Sequence, residues 1–255
     1  MGLREEPLSK LNIGIISMKT IDVCLTPDLT HLYDIENSIV VAVDIFRATS
    51  CMTTAFANGV QAIIPVETIE ECVAYQQQGF LAAAERNGIT PEGFDFDNSP
   101  FSYMVDKVKG AKISVTTTNG TVAIARSKAA IQVLVGSFLN IGAIASYLKS
   151  QNHNVLVVCA GWKGKPNLED TLFAGALIER LADDFETADD AARMALVQYQ
   201  LAKATLQETV TAASSHVRRL KKLGIEKDIA YCLQHDVYEV IPVLKGVELV
   251  DLRGN

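Results

Sequence analysis

The segment Ser38 to Phe46 (SIVVAVDIF) is a β-branched, almost wholly apolar run that carries a single carboxylate, Asp44, near its end. It is too short for a buried helix and lacks the alternation of a half-solvated strand, so it reads as a strand buried on both faces. Such a strand needs cover on each side. Ala48 to Asn58 is expected to be helical and to stop at Gly59, a residue suited to a helix C-terminal cap, and Gln61 to Val66 reads as the next strand. The alternation recurs with a strand at Ile113 to Thr116, a helix after Thr121, a strand at Ile131 to Val135, a helix from Asn140 to Lys149 and a strand at Asn154 to Cys159. The expectation is an α/β fold, layered α/β/α, with a mostly parallel or mixed sheet.

Further on, Glu169 to Leu181 and the long stretch Ala188 to Leu223 have helical periodicity; the second opens on Asp189 and Asp190 and stops at Gly224. The C-terminal part is therefore helix-rich. Two final apolar segments, Val240 to Leu244 and Val247 to Leu252, read as a hairpin or returning edge strands. No repeat, low-complexity tract or linker-like composition divides the chain, so residues 18–255 are taken as one unit or two intimately packed subdomains, preceded by an extension at residues 1–17. With 49% hydrophobic residues over 255 positions, the chain has enough apolar material to fold without disulfide or metal staples.

A formal net charge of -7 argues against a general nucleic-acid binder, which needs a broad Lys/Arg surface. The densest basic run, Arg218, Arg219, Lys221 and Lys222, falls at a helix end, where the dipole and solvent account for it. Cys24, Cys51, Cys72, Cys159 and Cys232 are scattered and lack any C-x-x-C spacing, which points to reduced thiols and a cytoplasmic protein. The first apolar residues are broken by Asn12, Gly14 and Lys19, so neither a signal peptide nor a membrane span is expected. His31, His153, His216 and His235 have no metal-like spacing and read as structural or exposed. A symmetric homodimer is the default assembly for a soluble enzyme.

Ligands of open α/β sheets bind beyond the carboxyl ends of the strands. Asp44, Arg47, Thr49 and Ser50 combine a carboxylate, a guanidinium and two hydroxyls at a strand end and helix start, which suits an anion held by Arg and helix amides, with a metal between carboxylate and phosphate. An Asp44–Arg47 pair capped by Thr49 or Ser50 would explain the same residues structurally. The turn Thr117-Thr118-Asn119-Gly120-Thr121 lacks the Lys of a Walker loop and the spacing of a dinucleotide fingerprint, yet its hydroxyls and amides suit a neutral anion nest. Ser137 and Asn140 follow the next strand as donors or caps. Lys163 and Lys165 lie in a glycine-bearing loop, and Glu169 and Asp170 follow in a first helical turn after Asn167, suited to the dipole or to magnesium. Cys159 is followed at the sixth position by Lys165, where cysteine phosphatase chemistry needs a bidentate Arg, so it reads as a buried hydrophobe. Glu85 and Arg86 form a further polar pair at the end of an apolar segment, Phe80 to Ala84.

In order, D-x-x-R-A-T at Asp44 to Thr49, A-N-G at Ala57 to Gly59, E-R at Glu85 and Arg86, N-S-P at Asn98 to Pro100, T-T-N-G-T at Thr117 to Thr121, G-S-F-L-N at Gly136 to Asn140, C-A-G at Cys159 to Gly161 and L-E-D at Leu168 to Asp170 resemble the 2-phosphosulfolactate phosphatase family of coenzyme M biosynthesis. The resemblance implies magnesium-dependent hydrolysis of 2-phospho-3-sulfolactate, a small anionic phosphate ester carrying phosphate, carboxylate and sulfonate. On that reading Asp44, Glu169 and Asp170 hold Mg2+ and, with Arg47, form the catalytic set. Substrate contacts are expected from Arg47, Thr49, Glu85, Arg86, Thr117, Thr118, Asn119, Ser137, Asn140 and Lys163. Water and an enzyme carboxylate stay open as the attacking group. A phosphatase for another small phosphorylated acid and a non-catalytic module binding an anionic metabolite are the alternatives.

Overall fold

A computed structural model describes residues 18–86, 89–220 and 226–254; the proposed extension at 1–17, together with Lys221 and Lys222, lies outside the described residues. The strands are β1 (Lys19–Cys24), β2 (Ser38–Val43), β3 (Ala62–Pro65), β4 (Leu81–Ala84), β5 (Lys112–Thr116), β6 (Gln132–Gly136), β7 (Asn154–Cys159), β8 (Phe185–Thr187), β9 (Pro242–Lys245) and β10 (Glu248–Asp251). The helices are α1 (Ala48–Ala57), α2 (Ile69–Gln76), α3 (Gly120–Arg126), α4 (Ile141–Lys149), α5 (Leu168–Leu181), α6 (Asp190–Ala202), α7 (Leu206–Ala213), α8 (Ser215–Leu220) and α9 (Glu226–Cys232).

The fold is α/β around a mixed sheet ordered β4-β5-β3-β10-β9-β6-β2-β7-β1-β8 among the described residues. β8, β1, β7, β2 and β6 form a parallel wing, and β3, β5 and β4 form a smaller one. The antiparallel hairpin β9–β10 joins them, pairing Val243 with Leu134 on one side and Leu249 with Ile63 on the other. Followed through these pairings, the small wing runs opposite to the large one. The final hairpin is thus interior to the sheet rather than at its edge. Val243 and Leu249 are buried accordingly, a placement that segments this short do not reveal by pattern.

As its composition demands, β2 is covered on both faces. Ile39, Val41 and Val43 enter one core with Phe138, Phe173 and Leu177, while Val40 and Ala42 enter a second core with Met52, Phe56 and Ile124. Helices α4, α5 and α6 cover the first face. On the second, α1 packs on β6 and β9, and α3 packs on β2 and β3. Both helices therefore begin beside the end of β2. A Cβ at Gly120, the first residue of α3, would fall 2.5 Å from the Ala48 Cβ and 2.9 Å from Asp44 Oδ2, so only glycine permits this approach.

The expected long helix from Ala188 to Leu223 is broken into α6, α7 and α8. Ser214 adopts extended backbone (φ -67°, ψ 125°) after α7. Its hydroxyl accepts the amides of His216 and Val217 at 3.1 and 3.2 Å, replacing helical carbonyls as their partner. Helix α2, closed by a reciprocal Thr68–Glu71 capping box, and the short edge strand β8 are elements that the pattern reading did not resolve.

Helix α5 approaches α6 so closely that a Cβ at Gly175 would lie 2.1 Å from the Ala195 carbonyl oxygen. Gly175→Ala should part the helices and cost about 1–3 kcal/mol by urea denaturation, the usual penalty of overpacking. Unchanged stability would show that α5 does not need this contact.

Candidate active site

The end of β2 is held by hydrogen bonds to the first turn of α1. Thr49, wholly buried in the first turn of α1, accepts the Asp44 amide at 3.0 Å and donates to the Asp44 carbonyl at 2.9 Å, while Ser50 donates to the Ile45 carbonyl at 3.0 Å. Thr49 therefore clamps the chain and presents no hydroxyl outward, unlike the expected substrate contact. The buried Asp44 carboxyl accepts the Ala48 amide and faces Gly120.

Glu169 and Asp170, in the first turn of α5, reach the same place from the other side of the sheet. Asp170 Oδ1 accepts the Ile45 amide at 2.9 Å and Oδ2 accepts the Gly161 amide at 3.1 Å, so one carboxylate ties the loop after β2 to the loop after β7. Glu169 Oε1 lies 2.6 Å from His216 Nδ1, and Oε2 accepts the Ser214 hydroxyl at 3.0 Å. Both acids are essentially without solvent exposure. Asn167 does not cap α5 through its side chain; its amide lies 3.4 Å from His216 Nδ1.

These groups perturb one another. Burial pushes the Asp44 carboxyl up to about 6; His216 and the Ala48 amide oppose the shift, and the charges of Glu169 and Glu85 add to it. Burial likewise pushes Asp170 well above the usual carboxylate range, with Glu169 and Asp44 adding, although two amides favour its charged form.

The smaller wing supplies the outer wall. Arg86 donates from Nη2 to Thr116 Oγ1 at 2.7 Å and to the Glu67 carbonyl at 3.1 Å, and from Nη1 to the Glu85 carbonyl at 2.8 Å. Thr118 Oγ1 lies 3.5 Å from Glu85 Oε2. Thr117 is buried and locked to Thr121 by reciprocal bonds, whereas Thr118 and Asn119 are half-buried at the start of α3. Lys163 (φ +50°) and Gly164 (φ +73°) form a tight turn closed by the Trp162–Lys165 backbone pair, which leaves Lys163 exposed with Nζ 4.6 Å from the Trp162 ring centroid.

Three expected residues have partners that the sequence did not announce. The buried Arg47 guanidinium pairs with Asp228 on α9 rather than with Asp44. Ser137 and Asn140 are wholly buried: Asn140 Oδ1 accepts the Ser137 amide at 2.9 Å, and its Nδ2 donates to Val135 and Val240 carbonyls at 3.3 and 3.0 Å. Ser137 Oγ also donates to Thr53 Oγ1 at 3.0 Å, so these polar groups tie the end of β6 to α1 and to the segment that leads into the final hairpin. Cys159 is buried, and burial with the nearby Asp170 charge pushes its thiol well up, the opposite of a thiolate nucleophile. Conversely, His216, Ser214 and Asp228 stand at the site without a motif to announce them; the only local trace is the Ser-Ser-His sequence where a helical pattern breaks.

The donor chemistry fits a hard dication. Asp44 has one amide partner, and Glu169 has lone pairs beyond its two hydrogen bonds, while Asp170 is committed to backbone on both oxygens. Among the described residues no three acidic, His or Cys side chains converge as a ready-made cage. Magnesium takes one or two carboxylates and keeps several waters, so Asp44 and Glu169 would suffice to hold it. The three-carboxylate set expected from the sequence thus becomes two candidate ligands and a brace.

Residues 24–246 match the family model described as 2-phosphosulpholactate phosphatase. A probable 2-phosphosulfolactate phosphatase of Thermotoga petrophila is 41% identical over 82% of this chain and 90% of its own length. One from Caldanaerobacter subterraneus is 40% identical over 84% and 90%, and one from Clostridium acetobutylicum is 35% identical over 90% and 99%.

The raised Asp44 pKa has a consequence for stability. Between about pH 4, the ordinary value, and about 6 the native state keeps a proton that the unfolded chain has released. Its contribution is full below about pH 4 and is lost as pH rises through about 6. Asp44→Asn should therefore raise the thermal midpoint by a few degrees at pH 8 in the presence of a chelator, with little change at pH 4. A lowered midpoint at pH 8 would contradict this account.

Proposed function

Because the chain belongs to the 2-phosphosulfolactate phosphatase family, and is thus a phosphoric monoester hydrolase, we propose that it hydrolyses 2-phospho-3-sulfolactate to 3-sulfolactate and phosphate with the help of magnesium. The observation that carries this reading is the crowding of Asp44, Glu169 and Asp170 at the carboxyl ends of β2 and β7, with the charge of Glu85 reaching Asp44. An anionic ester approaching four carboxylates needs a cation between them.

Asp44 and Glu169 would hold magnesium, which when bound supplies positive charge that polarises the phosphoryl oxygens and acidifies a water. The remaining work falls to the chain. Asp170 keeps the two strand-end loops in register, and the Ser214 and His216 contacts fix the Glu169 rotamer. Arg47, Thr118 and Asn119 hold phosphoryl oxygens, where charge builds as the phosphoryl group transfers. Arg86 and the exposed Lys163 take the carboxylate and sulfonate, giving an acidic protein local cations for a multiply anionic ester. We place the reaction in the cytoplasm, on the sulfolactate route toward coenzyme M, in a homodimer. Five buried free cysteines support a reducing compartment, and no helix among the described residues is long and apolar enough to cross a membrane.

Phosphate release from a panel of small phosphorylated acids, with and without magnesium, tests this. Phosphosulfolactate should be the best substrate, turnover should need magnesium, and Asp44→Asn should abolish it. Arg47→Ala should lower kcat by about 10²–10³, as losing one transition-state donor does. Faster turnover of another acid would reassign the substrate, and magnesium-independent turnover would remove the metal from the scheme.

A further inference from the structure

Among the described residues the Arg47 guanidinium makes one hydrogen bond, from Nη1 to Asp228 Oδ2. The other oxygen, Oδ1, accepts the Ser99 hydroxyl at 3.0 Å. Ser99 is itself set on a firm turn: its amide donates to Asp97 Oδ1 at 2.9 Å, and Ser102 Oγ donates to the same oxygen at 2.6 Å. This is the N-S-P segment, Asn98 to Pro100, to which the catalytic scheme gives no role. Three parts of the chain, the N-terminus of α1, the turn before Pro100 and α9, thus meet at the Arg47–Asp228 pair.

Arg47 and Asp228 are each about one-twentieth exposed. A buried ion pair is a poor stability device, since apolar residues of similar volume usually do as well or better. What it gives is direction. An Arg fork is useful to a phosphoryl group only when its plane and edge are fixed, and a carboxylate on one nitrogen fixes both while leaving the remaining N–H groups unspent.

We propose that Asp228, held by Ser99, is a positioning residue that aims the uncommitted N–H groups of Arg47 at the phosphoryl oxygens. This rests on the phosphate-binding role given to Arg47 above. It makes α9 and the Ser99 turn part of the anion site through their hold on Arg47.

Inorganic phosphate, titrated calorimetrically in the presence of saturating magnesium, is the probe, with kcat, KM and thermal midpoint measured alongside. Asp228→Asn should weaken phosphate binding at least tenfold and lower kcat/KM, and Ser99→Ala should weaken both a few-fold. Magnesium affinity, titrated separately, should not move in either variant. In an Arg47→Met background, Asp228→Asn should have no further effect on phosphate. The double variant Arg47→Met with Asp228→Leu should recover the thermal midpoint lost by either single change and still bind phosphate no better than Arg47→Met. Wild-type phosphate affinity in Ser99→Ala, or an Asp228→Asn effect that adds in full to that of Arg47→Met, would overturn the proposal, as would a wild-type protein that binds no phosphate. Should Asp228→Asn fail to fold, Ser99→Ala and the double variant decide alone. The predicted phosphate pattern in a protein that cleaves no ester would sink the substrate assignment and leave the positioning role standing.

Discussion

The carboxylate of Asp170 is the interaction on which the site depends. Strands that end in loops leave backbone amides in search of partners, and here the amides of Ile45 and Gly161 find theirs on the two oxygens of one side chain. That single group sets the spacing between the loop after β2, which carries Asp44 and Arg47, and the loop after β7, which leads to Lys163. It also obliges the first turn of α5 to lie at the carboxyl ends of β2 and β7, so Glu169 is delivered to the same place. The close α5–α6 approach at Gly175 then holds this helix from behind.

The arrangement is electrostatically uncomfortable, and the discomfort is informative. Burial pushes Asp44 up to about 6, with the charges of Glu169 and Glu85 adding, against the opposing effects of His216 and the Ala48 amide. A stability-driven fold would replace such acids or separate them. On the function proposed here, a dication and a phosphate would complete the charge balance. The C-terminal helices also gain a purpose in this view. They contribute Ser214 and His216 to Glu169 and Asp228 to Arg47, so the helix-rich part of the chain sets the orientation of groups displayed by the sheet.

The legible and illegible parts of this molecule separate along a physical line. Strand β2 was readable because a strand buried on both faces must be continuously apolar, and β7 matched the expected Asn154 to Cys159 for the same reason. Helix α5 and the carboxylates in its first turn were readable from periodicity. Partners remote in sequence were not. His216 is 47 residues from Glu169 and Asp228 is 181 from Arg47, and nothing in a local window records such pairings. Ser137 and Asn140 show a subtler limit. Polar residues after a strand look the same whether they turn toward a ligand or inward to neighbouring carbonyls, and here the inward bonds to Val135 and Val240 account for their complete burial. The break at Ser214 was hidden too, because a serine inside helical periodicity declares itself as a cap only when its hydroxyl captures the following amides.

The order of the sheet carries the last step. Large and small wings are built from strands within residues 19–187, yet β6 and β3 do not pair with each other; each pairs with the hairpin made by residues 242–251. The sheet is therefore continuous only once the end of the chain is in place. The same holds for the site, whose Glu169 and Arg47 take partners from positions 214, 216 and 228. Closing the sheet and completing the polar network both need contacts of long sequence separation, so they share one entropic cost and one cooperative event. An α/β core alone would display Asp44, Arg47 and Glu169 at a strand edge without orienting them. The late-sequence elements supply the partners that orient those groups, so neither wing alone would hold the network.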